Sequence, residues 1–189
     1  MSQHPDQCEI DKVLRGDTNA YTVLVDRYKN MVFSIALGIL RNREDSEEVS
    51  QDVFIKAYKA LGSFRGSAAF STWLYRIAYR SSLDYIKKRR RATGTAFVSL
   101  DDGYPLPAAL THFQQPEEDE RKVLVRKAIA ELGGEDQVII MLFYYDEQPL
   151  REIAAITGIS ENTAKVRLFR SRDRLIKMVR KMSEGEKIK

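Results

Sequence analysis

Cysteine and histidine are scarce in this chain of 189 residues, which contains one cysteine, Cys8, and two histidines, His4 and His112. A single cysteine excludes an intrachain disulfide framework and is typical of proteins in a reducing compartment. A structural zinc site takes four ligands, of which His4 and Cys8 could supply only two. We therefore expect neither a disulfide scaffold nor a bound metal.

The usual signatures of catalysis and of membrane insertion are also lacking. No glycine-rich phosphate-binding loop precedes a Lys and a Ser or Thr, and the carboxylates show no pairing signature. The longest apolar run, residues 31–40, is interrupted by Ser34 and Gly38 and is too short to span a bilayer. The N-terminus does not have the charged-then-apolar layout of a signal peptide. We expect a cytoplasmic protein without stable membrane insertion, which is not an enzyme and needs no cofactor.

The formal net charge is only +4, but the charges are clustered along the chain. Residues 72–91 contain seven basic residues and one acid, whereas residues 44–52 contain five acids and no base. Residues 101–120 contain six acids and no Lys or Arg. Blocks of alternating sign indicate separate faces for separate partners, although any single block could equally be a solvated helix face.

Apolar residues recur at helical spacing before residue 91 and again from Arg121 onward. Asp45 is expected to cap one helix, residues 62–67 to form a loop, and Ser71 or Thr72 to cap the next helix. Residues 93–120 hold three of the five prolines and no sustained periodicity, which is typical of an extended, acidic linker. The sequence thus predicts an all-α protein with two small helical domains, residues 1–92 and 121–189, joined by a flexible linker over residues 93–120.

Residues 150–168 have the pattern of a helix-turn-helix, with Gly158 at the tight turn. Steps of 100° give the second helix a small and apolar inner face, formed by Ala164, Leu168, Ser171 and Leu175. The opposite face carries Asn162, Lys165, Val166, Phe169 and Arg170. Lys or Arg can address guanine, and Val or Phe can pack on a thymine methyl, so this face suits the major groove. The alternative is an ordinary basic helical hairpin.

The helix predicted after residue 72 interleaves aromatic rings with cations. Its inner stripe is expected to contain Leu74, Ile77, Ala78, Ser81 and Tyr85, and its outer side Arg76, Tyr79, Arg80, Leu83 and Lys87. Exposed rings beside cations can stack on unpaired bases. We assign Trp73 to the core. The loop over residues 64–70 could form a pocket for one extruded base, and its alternative is a plain interhelix loop.

The acidic helix over residues 44–54 could dock on a basic partner. Glu44 and Asp45 can instead be explained as solvated acids in a first helical turn, where the helix dipole favours negative charge. This explanation suits Asp52 less well, because Asp52 lies well beyond the first turn.

Three motifs of this sequence resemble segments of one known protein family. Residues 45–54 (DSEEVSQDVF) are similar to the core-binding segment of bacterial sigma-70-type factors. Residues 64–66 (FRG) and 70–78 (FSTWLYRIA) are similar to the promoter-opening segment of their extracytoplasmic-function group. Residues 152–172 are similar to the C-terminal helix-turn-helix of that group. The resemblance covers about residues 10–91 and 121–178, in the family's order, and three motifs in order are more specific than any one.

The resemblance implies a fold, partners and site residues. In this family the first domain binds the clamp helices of RNA polymerase and opens the −10 promoter element, and the second domain reads the −35 element. The polymerase-binding residues it implies are Asp45, Glu48, Gln51, Asp52 and Phe54. The −10 residues are Phe64, Ala69, Arg76 and Arg80, and the −35 residues are Lys165, Val166, Phe169 and Arg170. Core RNA polymerase, promoter DNA and an anti-sigma factor are the implied partners.

The chain departs from the family pattern at three of the positions discussed. Arg80 stands where the family often has Asn, and Asn162 and Val166 stand where it often has Gly and Ser. Two other functions remain open from the sequence. One is a dimeric helix-turn-helix regulator that acts on duplex DNA without polymerase, and the other is an RNA-binding or anti-terminator protein. The acidic segment before the aromatic-basic helix favours the sigma factor.

Overall fold

A computed structural model of the chain describes residues 5–93 and 120–186, and both stretches are helical. The first contains α1 (Gln7–Leu14), α2 (Asn19–Leu40), α3 (Arg43–Ala60), a 3₁₀ turn (Leu61–Ser63) and α4 (Phe70–Thr93). The second contains α5 (Glu120–Leu132), α6 (Gly134–Tyr144), α7 (Leu150–Thr157) and α8 (Glu161–Glu186). Neither stretch contains a strand. The all-α prediction with two helical domains is confirmed, while residues 94–119 of the predicted linker lie outside the described residues.

Both predicted helix starts in the first domain are wrong by a few residues. Asn42, not Asp45, caps α3: its backbone is extended and its side-chain oxygen accepts from the Asp45 N–H at 2.9 Å. An asparagine there satisfies one of the free N–H groups of the first turn. Helix α4 begins at Phe70, ahead of the two predicted caps, and the Trp73 N–H already donates to the Ala69 carbonyl at 3.1 Å.

Helix α2 is the centre of the first domain and packs against α1, α3 and α4. Its C-terminal half is buried almost all round, over residues 31–39 with the exception of Phe33. A helix that is apolar all round has to be covered on every side. Helices α3 and α4 cover one side, and the second domain covers another.

The second domain docks on the first through α6 and α7. Helix α6 packs on α2, and α7 packs on α4. Val138, Ile139 and Leu142 of α6 join the same apolar core as α2 and α4. The helices α2 and α6 approach closely at Gly38, where a Cβ atom would lie 3.3 Å from a methyl carbon of Val138. The two domains therefore share one core rather than resting against each other through exposed side chains.

A second close approach joins the end of α2 to the start of α6. Arg41 ends α2 in the left-handed conformation, with φ of 52°, and its guanidinium lies against Gly133. Gly133 itself has φ of 58°, and a Cβ atom there would lie 1.2 Å from a guanidinium nitrogen of Arg41. The positive φ favours glycine at this position, and a larger residue would also displace the flexible end of Arg41.

Within the residues described, the helices include none that combines the length and the apolarity needed to cross a membrane.

Candidate partner and nucleic-acid interfaces

Helix α3 presents polar side chains to solvent. Glu48, Gln51 and Asp52 are exposed, and Phe54 is half-buried. Three of the five residues of α3 that were predicted to bind a partner are therefore accessible from solvent. Among the described residues, no group of three or more His, Cys, Asp or Glu is placed to hold a metal ion.

Asp45, the fifth of these residues, makes contacts within the chain itself. Its carboxylate accepts from the Tyr85 hydroxyl at 2.8 Å and forms an ion pair with Arg89. Only 18% of its side chain is exposed. The hydrogen bond to Asp45, followed by burial, raises the pKa of Tyr85 to about 12. Since Tyr85 and Arg89 both belong to α4, the contacts of Asp45 link α3 to α4.

A groove of about 330 Å³ runs between α2 and α3, beside the acidic face. Its apolar lining includes Val25, Phe33 and Phe54, and charged side chains such as Lys29 and Glu47 border it. An apolar floor with a charged border suits a partner helix that inserts one apolar side chain between flanking polar contacts.

Helix α4 buries more of its surface than the sequence predicts. Arg76 and Arg80 are exposed as expected. Tyr79 was predicted on the outer side, and this is wrong: it is 2% exposed and its hydroxyl donates to Glu135 of α6 at 2.7 Å. The physical reason is that the second domain covers this face of α4. Burial raises the pKa of Tyr79 above its usual value.

Tyr75 lies one turn before Tyr79 and is also buried. Its hydroxyl donates to the Asp146 carboxylate at 3.1 Å, and Asp146 also accepts from the Gln148 amide at 2.7 Å. Burial raises the pKa of Asp146 and, more strongly, that of Tyr75. The tyrosine–carboxylate pair thus joins α4 to the segment between α6 and α7.

Three aromatic rings hold the loop before α4. Phe64 lies 5.7 Å from Phe70 and 5.5 Å from Trp73, measured between ring centroids. Edge-on and tilted ring pairs at such distances are favourable. Trp73, which we assigned to the core, is half-buried, and so are Phe64 and Ala69. The loop is therefore anchored at Phe64, with its aromatic cluster partly open to solvent.

The helix-turn-helix is formed by α7, Gly158 and α8. Gly158 has φ of 76°, a conformation that glycine adopts without strain. The Ser160 hydroxyl accepts from the Thr163 N–H at 3.1 Å and so begins α8. The predicted inner face of α8 is confirmed, with Ala164 and Ser171 fully buried.

The outer face of α8 is exposed as the sequence predicted. Lys165, Val166 and Arg170 are open to solvent, and Phe169 is 63% exposed. The Arg172 guanidinium lies 5.6 Å from the centroid of the Phe169 ring, which is within cation–π range. An apolar ring and three cations on one open helix face can contact both base edges and phosphates.

Sequence reasoning missed two acids that begin α6. Glu135 forms an ion pair with Arg167 of α8, and Asp136 pairs with Arg174 at 3.1 Å. Acids in a first helical turn are explained by the helix dipole alone, so the sequence gives no sign of their partners. Glu135 is the more connected of the two, because it also accepts from Tyr79 of the first domain.

Comparison with protein families gives two matches in this chain. The model described as "Sigma-70 region 2" matches residues 24–92, and the one described as "Sigma-70, region 4" matches residues 122–175. The first match begins within α2 and extends through α4, and the second extends from α5 to the middle of α8.

Relatives match along nearly the whole length. The RNA polymerase sigma-H factor of Pseudomonas aeruginosa is 30% identical over 94% of this chain and 95% of its own. The ECF RNA polymerase sigma-E factor of Escherichia coli strain K12 is 34% identical over 90% and 92%.

Two solved structures share the fold. The sigma factor RpoE from Bartonella quintana, in complex with the anti-sigma factor NepR, aligns with a TM-score of 0.64 at 20% identity. It covers 85% of this chain and 96% of its own. CnrH in complex with the cytosolic domain of CnrY aligns with a TM-score of 0.62 at 22% identity, over 92% and 96%.

The contacts of Asp45 predict that it contributes to stability, unlike its neighbour Asp52. We expect Asp45→Ala to lower the free energy of unfolding by about 1–2 kcal/mol, because Tyr85 and Arg89 lose a shared acceptor. Asp52→Ala, on the exposed face of the same helix, is expected to change it by less than about 0.5 kcal/mol. Urea unfolding of the two variants measures the difference, and equal stabilities would contradict the role of Asp45 as a tie between helices.

Proposed function

This chain belongs to the extracytoplasmic-function group of the sigma-70 family, and we propose the residues through which it carries out the function of that family. It is a sigma factor, which binds core RNA polymerase, directs it to specific promoters and helps to open the −10 region. The observation that carries this conclusion is the presence of region 2 and region 4, in that order, in one chain.

We propose that polymerase binds the outer face of α3 and the adjoining groove. Glu48, Gln51 and Asp52 supply exposed polar contacts, and Phe54 supplies apolar surface at the groove. Asp45 acts differently: through Tyr85 and Arg89 it sets the position of α3 on α4. A basic, partly apolar partner helix fits this combination.

For the −10 element we propose Arg76, Arg80, Phe64 and Ala69. The two arginines are exposed on α4, where they can neutralise the backbone of a separated strand. Phe64 and Ala69 flank the loop that leads into α4, and the half-buried ring of Phe64 offers a stacking surface. The two arginines lie in the first half of α4, on the side of the helix that the loop joins, which supports the proposal.

For the −35 element we propose Lys165, Val166, Phe169 and Arg170. All four are exposed on one face of the second helix of the helix-turn-helix. A recognition helix contacts base edges through its N-terminal residues, and these four lie within the first ten residues of α8.

We further propose domain bounds of 1–92 and 121–189, with residues 93–120 as the linker. The family matches at residues 24–92 and 122–175 fall within these bounds, which supports them. The alternative function, a dimeric helix-turn-helix regulator, would not explain why residues 24–92 match region 2.

An anti-sigma factor is a further proposed partner. Two structures of similar fold were solved as complexes, one with the anti-sigma factor NepR and one with the cytosolic domain of CnrY. We place the protein in the cytoplasm because polymerase and promoter DNA are there. The chemistry of transcription belongs to the polymerase, so the chain is an initiation factor rather than an enzyme.

The polymerase surface predicts a charge-reversal effect. The chain is expected to co-elute with core polymerase, and the double variant Glu48→Lys, Asp52→Lys is expected to bind at least about tenfold more weakly, because each reversed charge costs on the order of 1 kcal/mol. Size-exclusion chromatography and fluorescence titration measure this. The matched control reverses Asp84 and Glu184, two exposed acids outside the proposed surface. Wild-type affinity of the first variant, with an unchanged helical spectrum, would refute the surface.

The two DNA surfaces predict separable defects. Lys165→Ala and Arg170→Ala are expected to weaken the closed complex by about 1–3 kcal/mol if the side chain pairs with a base edge. Arg76→Ala and Arg80→Ala are expected to leave the closed complex intact and to impair opening, because unpaired bases must then be held. Footprinting reports the first step, and permanganate reactivity of unpaired thymines reports the second.

Phe64→Ala is likewise expected to leave the closed complex intact and to impair opening. An unchanged helical spectrum shows that this variant is still folded. The two-surface assignment fails if the Arg76 and Arg80 variants open duplex and premelted promoters as well as wild type does. It also fails if the Lys165 and Arg170 variants form the closed complex normally.

A further inference from the structure

Asp6 immediately precedes α1, but its side chain does not cap that helix. An aspartate in this position usually accepts a hydrogen bond from an N–H group of the first helical turn, and Asp6 makes no such bond. Its carboxylate turns instead to α2, where it accepts from the Tyr28 hydroxyl at 2.7 Å and forms an ion pair with Arg27. Only 2% of Asp6 is exposed. Because burying a carboxylate is costly unless it is paired, these two contacts determine where Asp6 lies.

The Tyr28 ring, which this hydrogen bond orients, lies against the start of α4. Its centroid is 5.7 Å from the Phe70 centroid and 6.0 Å from the Tyr75 centroid, in tilted and edge-on geometry. Ring pairs at such distances and angles are favourable. Burial and then the bond to Asp6 raise the pKa of Tyr28 well above its usual value. The hydroxyl therefore keeps its proton at neutral pH and remains a donor to Asp6.

Phe70 is the centre of the aromatic cluster that holds the loop before α4. It is 1% exposed, and its ring centroid lies 5.7 Å from that of Phe64 and 5.6 Å from that of Trp73. Phe64 is one of the residues proposed above for the −10 element. Through Tyr28 and Phe70, a continuous series of contacts thus connects Asp6 to this loop.

We propose that Asp6 is a positioning residue for promoter opening, because it orients the Tyr28 ring and thereby fixes the loop that presents Phe64 to an unpaired base. This inference rests on the proposed function of that loop. Since Asp6 is buried, it acts through the aromatic rings and does not contact DNA. The region 2 match begins at residue 24, so the segment before α1 adds a support for the loop from outside the matched residues.

Trp73 is the only tryptophan of the chain and belongs to the aromatic cluster, so its fluorescence reports on the cluster directly. Asp6→Ala removes both contacts of the carboxylate. In the free variant, the Trp73 emission is expected to shift to longer wavelength and to be quenched more strongly by acrylamide. The matched control is Asp11→Ala in the same helix, where the lost carboxylate accepts from the Gln7 amide of α1 at 2.8 Å. This control is expected to leave the emission unchanged.

A double-mutant cycle on promoter opening separates positioning from a general loss of stability. With saturating polymerase, Asp6→Ala is expected to slow opening about fivefold, the effect of weakening one ring contact, while closed-complex formation stays normal. The cycle uses a promoter that Phe64→Ala still opens measurably. If Asp6 acts through Phe64, the double variant opens this promoter no more slowly than Phe64→Ala alone. A general loss of stability would instead multiply the two defects.

Tyr28→Phe provides a second test that leaves the core filled, because it removes only the hydroxyl that donates to Asp6. It is expected to change the Trp73 emission and the opening rate in the same direction as Asp6→Ala, to a smaller extent. Unchanged emission or normal opening in both variants, or defects that multiply with that of Phe64→Ala, would overturn the proposal.

The single variant Phe64→Ala distinguishes this proposal from the function on which it rests. If Phe64→Ala opens promoters normally, the proposed function of the loop fails and the role of Asp6 falls with it. If Phe64→Ala is defective while Asp6→Ala and Tyr28→Phe behave as wild type, the function of the loop stands and the role of Asp6 is wrong.

Discussion

The close approach of α2 and α6 at Gly38 is the constraint on which the arrangement of this protein depends. A Cβ atom at this position would lie 3.3 Å from a methyl carbon of Val138, so even alanine would require Val138 to shift slightly. The contact closes the apolar surface that α2 exposes beyond its own domain. It also brings α7 onto α4 and carries Glu135 to Tyr79. The packing at this glycine therefore accompanies the contacts that bury Tyr79 of α4.

The three proposed surfaces differ in how much of each is available in the docked chain. The polymerase face of α3 and the −35 face of α8 are open, whereas one face of α4 is covered by a chain of tyrosine–carboxylate contacts. An initiation factor must find polymerase and duplex promoter before it holds separated strands. In the docked chain, the surfaces proposed for polymerase and for the −35 element are therefore the ones that are open for contact.

Sequence patterns predicted the parts of the structure that depend on neighbours within one helix. The inner and outer faces of α8 follow from the 100° step, and Gly158 marks its turn. Tyr79 was misplaced because a helical wheel cannot show that a distant domain covers a second face. Likewise, the acid run of α3 does not reveal that Asn42 provides the cap and that Asp45 is consequently free to contact Tyr85 and Arg89. These relations arise only when separate elements meet.

The distance between the two domains, measured in the free chain, tests this account most directly. Spin labels at Lys59 of α3 and Lys177 of α8, in a chain with Cys8→Ser, report it by double electron–electron resonance, because both lysines are exposed. The account predicts one narrow distribution in the free chain, because the two domains share one apolar core. A broad distribution, or several distances, in the free chain would contradict it.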